Sequence, residues 1–251
     1  MTLRPALLLV FASLVGCVST GSVDPMKTAE GRDKARDAYI QLGIGYLSQG
    51  AAERAKVPLR KALELDSSSA DANAALALVF QTEMEPKLAD QHFRKALSSR
   101  TDSRILNNYG GFLYEQKRYE EAYERFEQAA EDSLYPERSR VFENLGLTAL
   151  RMNRPDLAKQ HFDKSLRLNR QQPVALLEMA DLSYAEKQYV PARDYYDRYS
   201  KIAPQSARSL LLGTRLATVF DDRDQAASLG LQLKRLYPGT PEYQQYLSEQ
   251  R

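Results

Sequence analysis

Small and large apolar residues recur along the chain at a regular spacing. In five segments an alanine is followed four residues later by a large apolar side chain, in the pairs Ala55/Leu59, Ala89/Phe93, Ala122/Phe126, Ala158/Phe162 and Ala192/Tyr196. Twelve residues before each of these alanines a small residue follows a large one, at Leu42-Gly43, Leu76-Ala77, Tyr109-Gly110, Leu145-Gly146 and Met179-Ala180. Side chains four residues apart share one helix face, and a small residue lets another helix approach closely. The pattern therefore predicts a series of similar helix pairs.

The spacing of the pairs also locates an insertion and a weaker copy. The steps between the five alanines are 34, 33, 36 and 34 residues, and a sixth copy follows at Ala226, with Gly213 one residue out of register. The 36-residue step contains an inserted connection within residues 130–146. Pro86 and Pro155 fall where the second helix of a pair should begin, a position that tolerates proline.

These spacings resemble the 34-residue helix–turn–helix unit of the tetratricopeptide repeat (TPR). The resemblance implies an all-α, right-handed superhelical solenoid of about six TPR helix pairs over residues 31–250. The six repeats are expected at about 36–69, 70–102, 103–138, 139–172, 173–206 and 207–240. A generic helical protein with coincidental alanine spacing is the alternative, and five consecutive copies argue against it.

The first thirty residues differ from the rest. Arg4 precedes an apolar stretch of ten residues from Ala6 to Val15, which is too short for a spanning helix and typical of a secretory signal. The run Leu14-Val15-Gly16-Cys17 resembles a bacterial lipobox, which implies a signal peptide at 1–16 and a lipidated Cys17 as the first mature residue. A chance apolar leader that ends in cysteine is the alternative. Residues 17–30, small and polar after Cys17, are predicted to form a flexible tether of about 20 Å r.m.s. length.

Composition narrows the possible partners. The chain has 35 Lys and Arg against 33 Asp and Glu, so no strong electrostatic field favours nucleic acid or another polyanion. A single cysteine cannot form an internal disulfide. Because Gly and Pro are sparse and helix-forming residues are abundant, the composition also favours helices.

The sequence offers no catalytic or metal site. His92 and His161 occupy the same position two repeats apart, which is too far for them to share a metal, so a structural role is expected for both. Phosphate-binding loops and the common hydrolase and metalloprotease motifs are missing from the sequence. We therefore expect no enzymatic activity, no metal, no small-molecule substrate and no cofactor other than the covalent lipid on Cys17.

A TPR solenoid offers instead a concave surface built from the first helix of each repeat. In the TPR motif, positions 2, 5, 9, 12 and 13 of that helix point into the concave surface. The side chains predicted there as a partner-binding groove are Ile40, Ile44, Leu47, Leu78, Asn107 and Tyr114. An apolar groove of this kind suits an amphipathic helix or an extended peptide with apolar anchors. Coverage of these residues by the tether or by the curvature of the solenoid is the alternative.

The whole chain resembles the type IV pilus biogenesis lipoproteins that act as secretin pilotins. The resemblance is strongest in "RDAYIQLGIGYLSQG" (36–50), "FQTEMEPKLADQHFRKAL" (80–97), "LNNYGGFLYEQKRYEEAYERF" (106–126) and "LYPERSRVFENLGL" (134–147). It implies a lipid-anchored protein on the periplasmic side of the outer membrane. Such a protein would bind the pilus secretin subunit and promote its localisation and multimerisation, and hence pilus assembly and twitching motility. A TPR lipoprotein scaffold for outer-membrane protein insertion or for peptidoglycan enzymes is the alternative.

Overall fold

A computed structural model describes residues 24–250, of which Pro25 is described by its backbone alone. Within that range the chain forms a short 3-10 helix, Pro25–Lys27, and thirteen α-helices, with no strand. The helices are α1 (Ala29–Ser48), α2 (Ala52–Leu65), α3 (Ala70–Thr82), α4 (Pro86–Ser99), α5 (Ser103–Glu115), α6 (Tyr119–Glu131), α7 (Arg138–Arg151), α8 (Pro155–Leu168), α9 (Pro173–Ala185), α10 (Tyr189–Ser200), α11 (Ala207–Val219), α12 (Arg223–Leu236) and α13 (Pro241–Glu249). The predicted all-α class and the repeated helix pairs are confirmed. The chain divides into two compact units, one ending at Ser67 and the other beginning at Ser68.

The first unit contains the helix pair α1 and α2. The Thr28 side chain caps α1 by accepting a hydrogen bond from the Gly31 N–H at 3.0 Å. Gly43 lies against the second helix so closely that a Cβ atom there would stand 2.5 Å from Leu59 Cγ. Leu42, the large residue before Gly43 in the repeat pattern, is 48% exposed, whereas its counterparts Leu76, Tyr109, Leu145 and Met179 are buried. It departs from the pattern because no earlier pair exists among the described residues to cover it.

The second unit contains five further helix pairs, α3/α4 to α11/α12, and the final helix α13. Its core is built where a large aromatic residue of the second helix meets a small residue of the first. A Cβ atom on Gly110 would stand 2.6 Å from the Phe126 ring, and one on Gly146 would stand 2.5 Å from the Phe162 ring. Both phenylalanines are buried. The predicted close approach of the paired helices is therefore confirmed.

The turn inside each helix pair has one backbone conformation throughout the chain. A single residue in each turn has a positive φ, between 56° and 72°, at Gly50, Met84, Lys117, Asn153, Lys187 and Asp221. This left-handed conformation favours glycine or asparagine over other residues, yet glycine occurs at only one of the six turns and asparagine at another. The sixth pair has the same turn as the others, so its weaker sequence pattern still encodes the same connection.

The inserted connection is residues 132–137, between α6 and α7. The Leu134 N–H donates to Asp132 Oδ1 at 3.0 Å, and Arg138 Nε donates to the carbonyl oxygen of Ala130 at 2.8 Å. Tyr135 is half-buried and packs against the core, whereas Leu134 is 88% exposed. The insertion is thus an ordered turn that keeps two neighbouring pairs in contact.

The end of the second unit contains a helix that the repeat pattern did not predict. Tyr243 and Tyr246 of α13 pack against the buried residues of α11 and α12. The Tyr246 ring occupies the space that a side chain at Gly230 would need. Arg215 pairs with Glu249 at 2.5 Å and ties α11 to α13. The final helix therefore covers the last pair, as terminal elements of repeat proteins do.

Glu143 links two first helices inside the second unit. It lies on α7 and is only 8% exposed, and its Oε2 accepts a hydrogen bond from the Ala175 N–H of α9 at 3.1 Å. The helix α9 has no capping side chain of its own, so Glu143 satisfies one of the free N–H groups at its start. Burial raises the pKa of Glu143, although this hydrogen bond and Arg140 oppose the rise.

A Glu143→Gln variant is expected to be at least as stable as the wild type at pH 7. In the unfolded chain the carboxyl titrates near pH 4.5, and in the folded chain its pKa is higher. Between the two values the folded state binds more protons, so the free energy of unfolding falls as the pH rises through this interval. Glutamine removes the titration and keeps an acceptor for the Ala175 N–H. Urea unfolding at a series of pH values measures the difference, which should shrink towards pH 4.5.

The control for this prediction is Glu143→Ala, which removes the acceptor as well. Leaving the Ala175 N–H without a partner should lower the free energy of unfolding by about 1–3 kcal/mol. If the glutamine and alanine variants lost the same stability at every pH, the hydrogen bond would have no role in holding α9.

Candidate partner-binding groove

The first three predicted groove residues lie along α1, in the first unit. Ile40, Ile44 and Leu47 are spaced by four and three residues, so they share one face of the helix. Their exposure differs, because Ile44 is 38% exposed, Leu47 is half-buried and Ile40 is only 5% exposed. Ile40 therefore offers little surface to a partner, and its predicted role as a contact residue is not favoured by its burial. Ile44 and Leu47 remain candidates.

The other three predicted groove residues lie in the second unit. Leu78 on α3 is half-buried and packs against the same core cluster as Tyr114. Asn107 and Tyr114 lie on α5, where Asn107 Oδ1 accepts from Asn144 Nδ2 and the Tyr114 hydroxyl accepts from Arg151 Nε, both at 3.0 Å. Each polar side chain is thus held by a residue of α7. The two hydrogen bonds fix the orientation of the Asn107 and Tyr114 side chains.

Gly111 was not among the groove residues predicted from the sequence, although it lies on the same helix face as two of them. It follows Asn107 by four residues and precedes Tyr114 by three, so all three lie on one face of α5. A Cβ atom on Gly111 would have no neighbour within 4 Å. The position therefore leaves open space between the amide and the phenol. The sequence signal was the Gly110-Gly111 doublet, in which only the first glycine is needed for helix packing.

Further along the second unit, the same helix face becomes charged. Arg208 of α11 donates to both carboxylate oxygens of Glu178 at 2.6 and 2.8 Å and lies 2.5 Å from Asp181, both on α9. The paired carboxylates raise the pKa of Arg208. Burial raises the pKa of Asp181 in spite of the guanidinium beside it. The apolar and amide character of α3 and α5 therefore does not extend to α9 and α11.

The two histidines lie in separate structural contacts. His92 Nδ1 is 3.0 Å from Asn73 Oδ1, and its ring stacks on Phe80 with centroids 5.3 Å apart. His161 Nε2 is 2.7 Å from the Tyr123 hydroxyl. Burial lowers the pKa of both imidazoles. The part of the chain that the structure describes contains no group of three His, Cys, Asp or Glu residues placed to hold a metal ion.

The predicted signal peptide and the lipidation site at Cys17 lie outside the described residues. Within 24–250, no helix combines the length and apolar character needed to cross a membrane.

Comparison with known proteins agrees with the helix-pair geometry. Tetratricopeptide-repeat family models match residues 101–171 and 149–216. The chain is 67% identical over 251 residues to the "Type IV pilus assembly protein PilF" of Pseudomonas aeruginosa, which covers 99% of this chain and 100% of that protein. The chain belongs to the PilF family.

Solved structures of PilF-like proteins have the same fold. The structure of Pseudomonas aeruginosa PilF aligns with a TM-score of 0.85 at 70% identity and covers 87% of this chain and 99% of that one. A crystal structure of PilW, described as a widely conserved type IV pilus biogenesis factor, aligns with a TM-score of 0.73 at 27% identity. It covers 85% of this chain and 99% of that one. PilF-family proteins are built on the TPR scaffold, a non-enzymatic fold that binds other proteins.

Proposed function

We propose that the chain is an outer-membrane-anchored pilotin. In this role it binds the secretin subunit of the type IV pilus and promotes localisation and multimerisation of the secretin, and hence pilus assembly and twitching motility. The observation that carries the proposal is the identity to PilF of 67%, which extends over the full length of both proteins. The aligned region covers 99% of the chain, so it extends well beyond the part that the tetratricopeptide-repeat models match.

The helix faces of the candidate groove are suited to binding a segment of another protein. The first unit offers Ile44 and Leu47 on α1, and the second unit offers Leu78 on α3 and the open space at Gly111 on α5. Apolar anchors of an extended or helical segment suit such faces, and the fixed Asn107 and Tyr114 supply polar contacts. Capture of one secretin segment would shield its apolar surface in the periplasm.

The predicted lipid anchor at Cys17 would account for the second half of the proposal. Acyl chains on Cys17 would hold the protein at the membrane, because each buried methylene contributes about 0.8 kcal/mol. The predicted tether of residues 17–30 is shorter than expected at its end, because α1 already begins at Ala29. Residues 18–28 would then place the first helix pair close to the bilayer. Confinement of many copies to one surface raises the effective concentration of bound secretin subunits without any new contact.

A Gly111→Arg variant is expected to reduce the amount of secretin multimer strongly while it leaves the pilotin folded. Arginine favours the helix over glycine, and its side chain would enter the open space between Asn107 and Tyr114. Secretin multimer is measured on gels from cells that carry the variant, and pilotin folding by circular dichroism. Ile44→Asp tests the face of α1 in the same assay.

The matched control is Gly239→Arg, which adds the same side chain where a Cβ atom also has no neighbour within 4 Å. Normal multimer with both Gly111→Arg and Ile44→Asp, in folded protein, would rule out the groove. A pulldown that recovers a barrel-assembly factor or a peptidoglycan enzyme instead of the secretin would support the scaffold alternative.

A Cys17→Ser variant is expected to lose labelling by radioactive palmitate and to leave the outer-membrane fraction. Serine has no thiol to acylate, so the protein should appear in the soluble fraction after cell fractionation. Palmitate incorporation into the wild type is the reference. If the wild-type protein carried no palmitate label, the proposed lipid anchor would be wrong. The proposed partner-binding groove would not be affected by that result.

A further inference from the structure

Two tyrosine pairs occupy equivalent places in the second unit. Tyr114 near the end of α5 meets Tyr119 at the start of α6, with ring centroids 5.4 Å apart and planes at 65°. Tyr184 near the end of α9 meets Tyr189 at the start of α10, with centroids 5.5 Å apart and planes at 58°. The two pairs are related by 70 residues, which is two repeats. All four rings are half-buried.

The repeat between them continues this edge with apolar residues. Leu150 and Pro155 of α7 and α8 occupy the positions that correspond to the tyrosines. We name the row Tyr114, Tyr119, Leu150, Pro155, Tyr184 and Tyr189 the tyrosine ledge. Because α5 contacts α7 and α7 contacts α9, the ledge residues lie on three successive helix pairs. Packed helices lie about 8–10 Å apart, so the outer pairs are separated by on the order of 20 Å.

Each tyrosine hydroxyl of the ledge can donate a hydrogen bond to a partner. The hydroxyls of Tyr119, Tyr184 and Tyr189 have no hydrogen-bond partner within residues 24–250. The Tyr114 hydroxyl accepts from Arg151 and so keeps its own proton to donate. Charges of both signs border the ledge, and the Arg215–Glu249 pair near Tyr184 is one example. A partner selected by net charge is therefore not favoured.

We propose that the tyrosine ledge binds a proline-rich segment of a partner protein in the polyproline II conformation. Proline has no N–H, so such a segment presents carbonyl acceptors and apolar rings, which complement phenol donors and aromatic faces. Aromatic surfaces recognise this conformation in other proteins. At 3.1 Å per residue, about six or seven residues would extend from one tyrosine pair to the other. The ledge shares Tyr114 with the groove proposed for the secretin. It adds Tyr119, Tyr184 and Tyr189, which that groove does not include.

The probe is an acetylated decaproline peptide, compared with a glycine–serine peptide of the same length, by isothermal titration calorimetry on the purified protein. Saturable binding of decaproline alone is expected. Tyr119→Ala and Tyr189→Ala should each weaken it by about 2- to 13-fold, the range measured for aromatic contacts. Tyr119→Phe and Tyr189→Phe, which keep the ring and lose the donor, should have smaller effects.

Tyr195→Ala is the matched control, since Tyr195 is a half-buried tyrosine of α10 that lies outside the ledge. In the unmodified protein, decaproline should shift the ring signals of the ledge tyrosines in NMR spectra and leave Tyr123 unchanged, a readout that needs no variant. Equal binding of the two peptides, or ring shifts confined to other tyrosines, would overturn the proposal. Neither result depends on secretin multimerisation, so the ledge and the groove can fail separately.

Discussion

The Phe162→Ala substitution is expected to lower the free energy of unfolding by about 3–5 kcal/mol. The Phe162 side chain is 0% exposed and lies against Gly146 of the same helix pair. It also packs in the cluster that joins α7, α8 and α9. Alanine would leave a cavity that the helix backbones cannot close. Urea unfolding monitored by circular dichroism measures the loss.

The control for Phe162→Ala is Val190→Ala, in which the truncated side chain is 72% exposed. A surface truncation of this kind should change the free energy of unfolding by less than about 0.5 kcal/mol. Because neighbouring repeats stabilise one another through their interfaces, the phenylalanine variant should also unfold less cooperatively. A loss below about 1 kcal/mol at Phe162 would show that the packing against Gly146 contributes little.

The second large effect is expected from leucine at Gly110, with the opposite result at the neighbouring Gly111. A side chain on Gly110 would clash with the buried Phe126 ring. Overpacking of this kind lowers the free energy of unfolding by about 1–3 kcal/mol. At Gly111 the space is open, and replacement of a helical glycine should raise the free energy of unfolding by up to about 1 kcal/mol. The same unfolding measurement compares the two variants.

Adjacent positions give this comparison an internal control. Both variants add leucine to the same turn of α5, so they share its effect on helix propensity and on the unfolded chain. Only the contact with Phe126 differs. A Gly110→Leu/Phe126→Ala double variant should recover part of the loss, because the smaller side chain vacates the space. Equal stabilities of the two leucine variants would contradict the close packing of α5 and α6.

Much of the fold is predictable from residue size and spacing. The small residues at Gly110 and Gly146 and the aromatic residues sixteen positions later meet as expected. Pro86 and Pro155 are the first residues of α4 and α8. Each of these features depends on residues of one helix pair, so a local pattern is sufficient to encode it.

Contacts that join different pairs were not predictable in the same way. The hydrogen bond between Glu143 and the Ala175 N–H joins positions 32 residues apart, and a buried glutamate looks the same as an exposed one in sequence. The helix α13 has no counterpart in the repeat pattern, and Gly230 gives no sign that Tyr246 fills the space beside it. The tyrosine ledge likewise appears only when the turns of three pairs are brought side by side.

The candidate groove also has some features that the sequence predicts and others that depend on contacts between helix pairs. Motif positions predicted which side chains lie on one face of each single helix, α1, α3 or α5, because helix geometry alone determines that. They did not predict that Ile40 is buried while Ile44 is exposed, or that Asn107 and Tyr114 are held by Asn144 and Arg151. Burial and hydrogen bonding depend on neighbours that the helix period does not specify.

The sequence by itself determined the period of the repeat, the pairing of small and large side chains and the place of the inserted turn, since all three follow from local spacing along a helix of 3.6 residues per turn. Only the tertiary structure decided which side chains lie between pairs, where α13 ends the core and which tyrosines align. These features depend on how successive pairs pack, and packing joins residues that are distant in the chain and unrelated by any period.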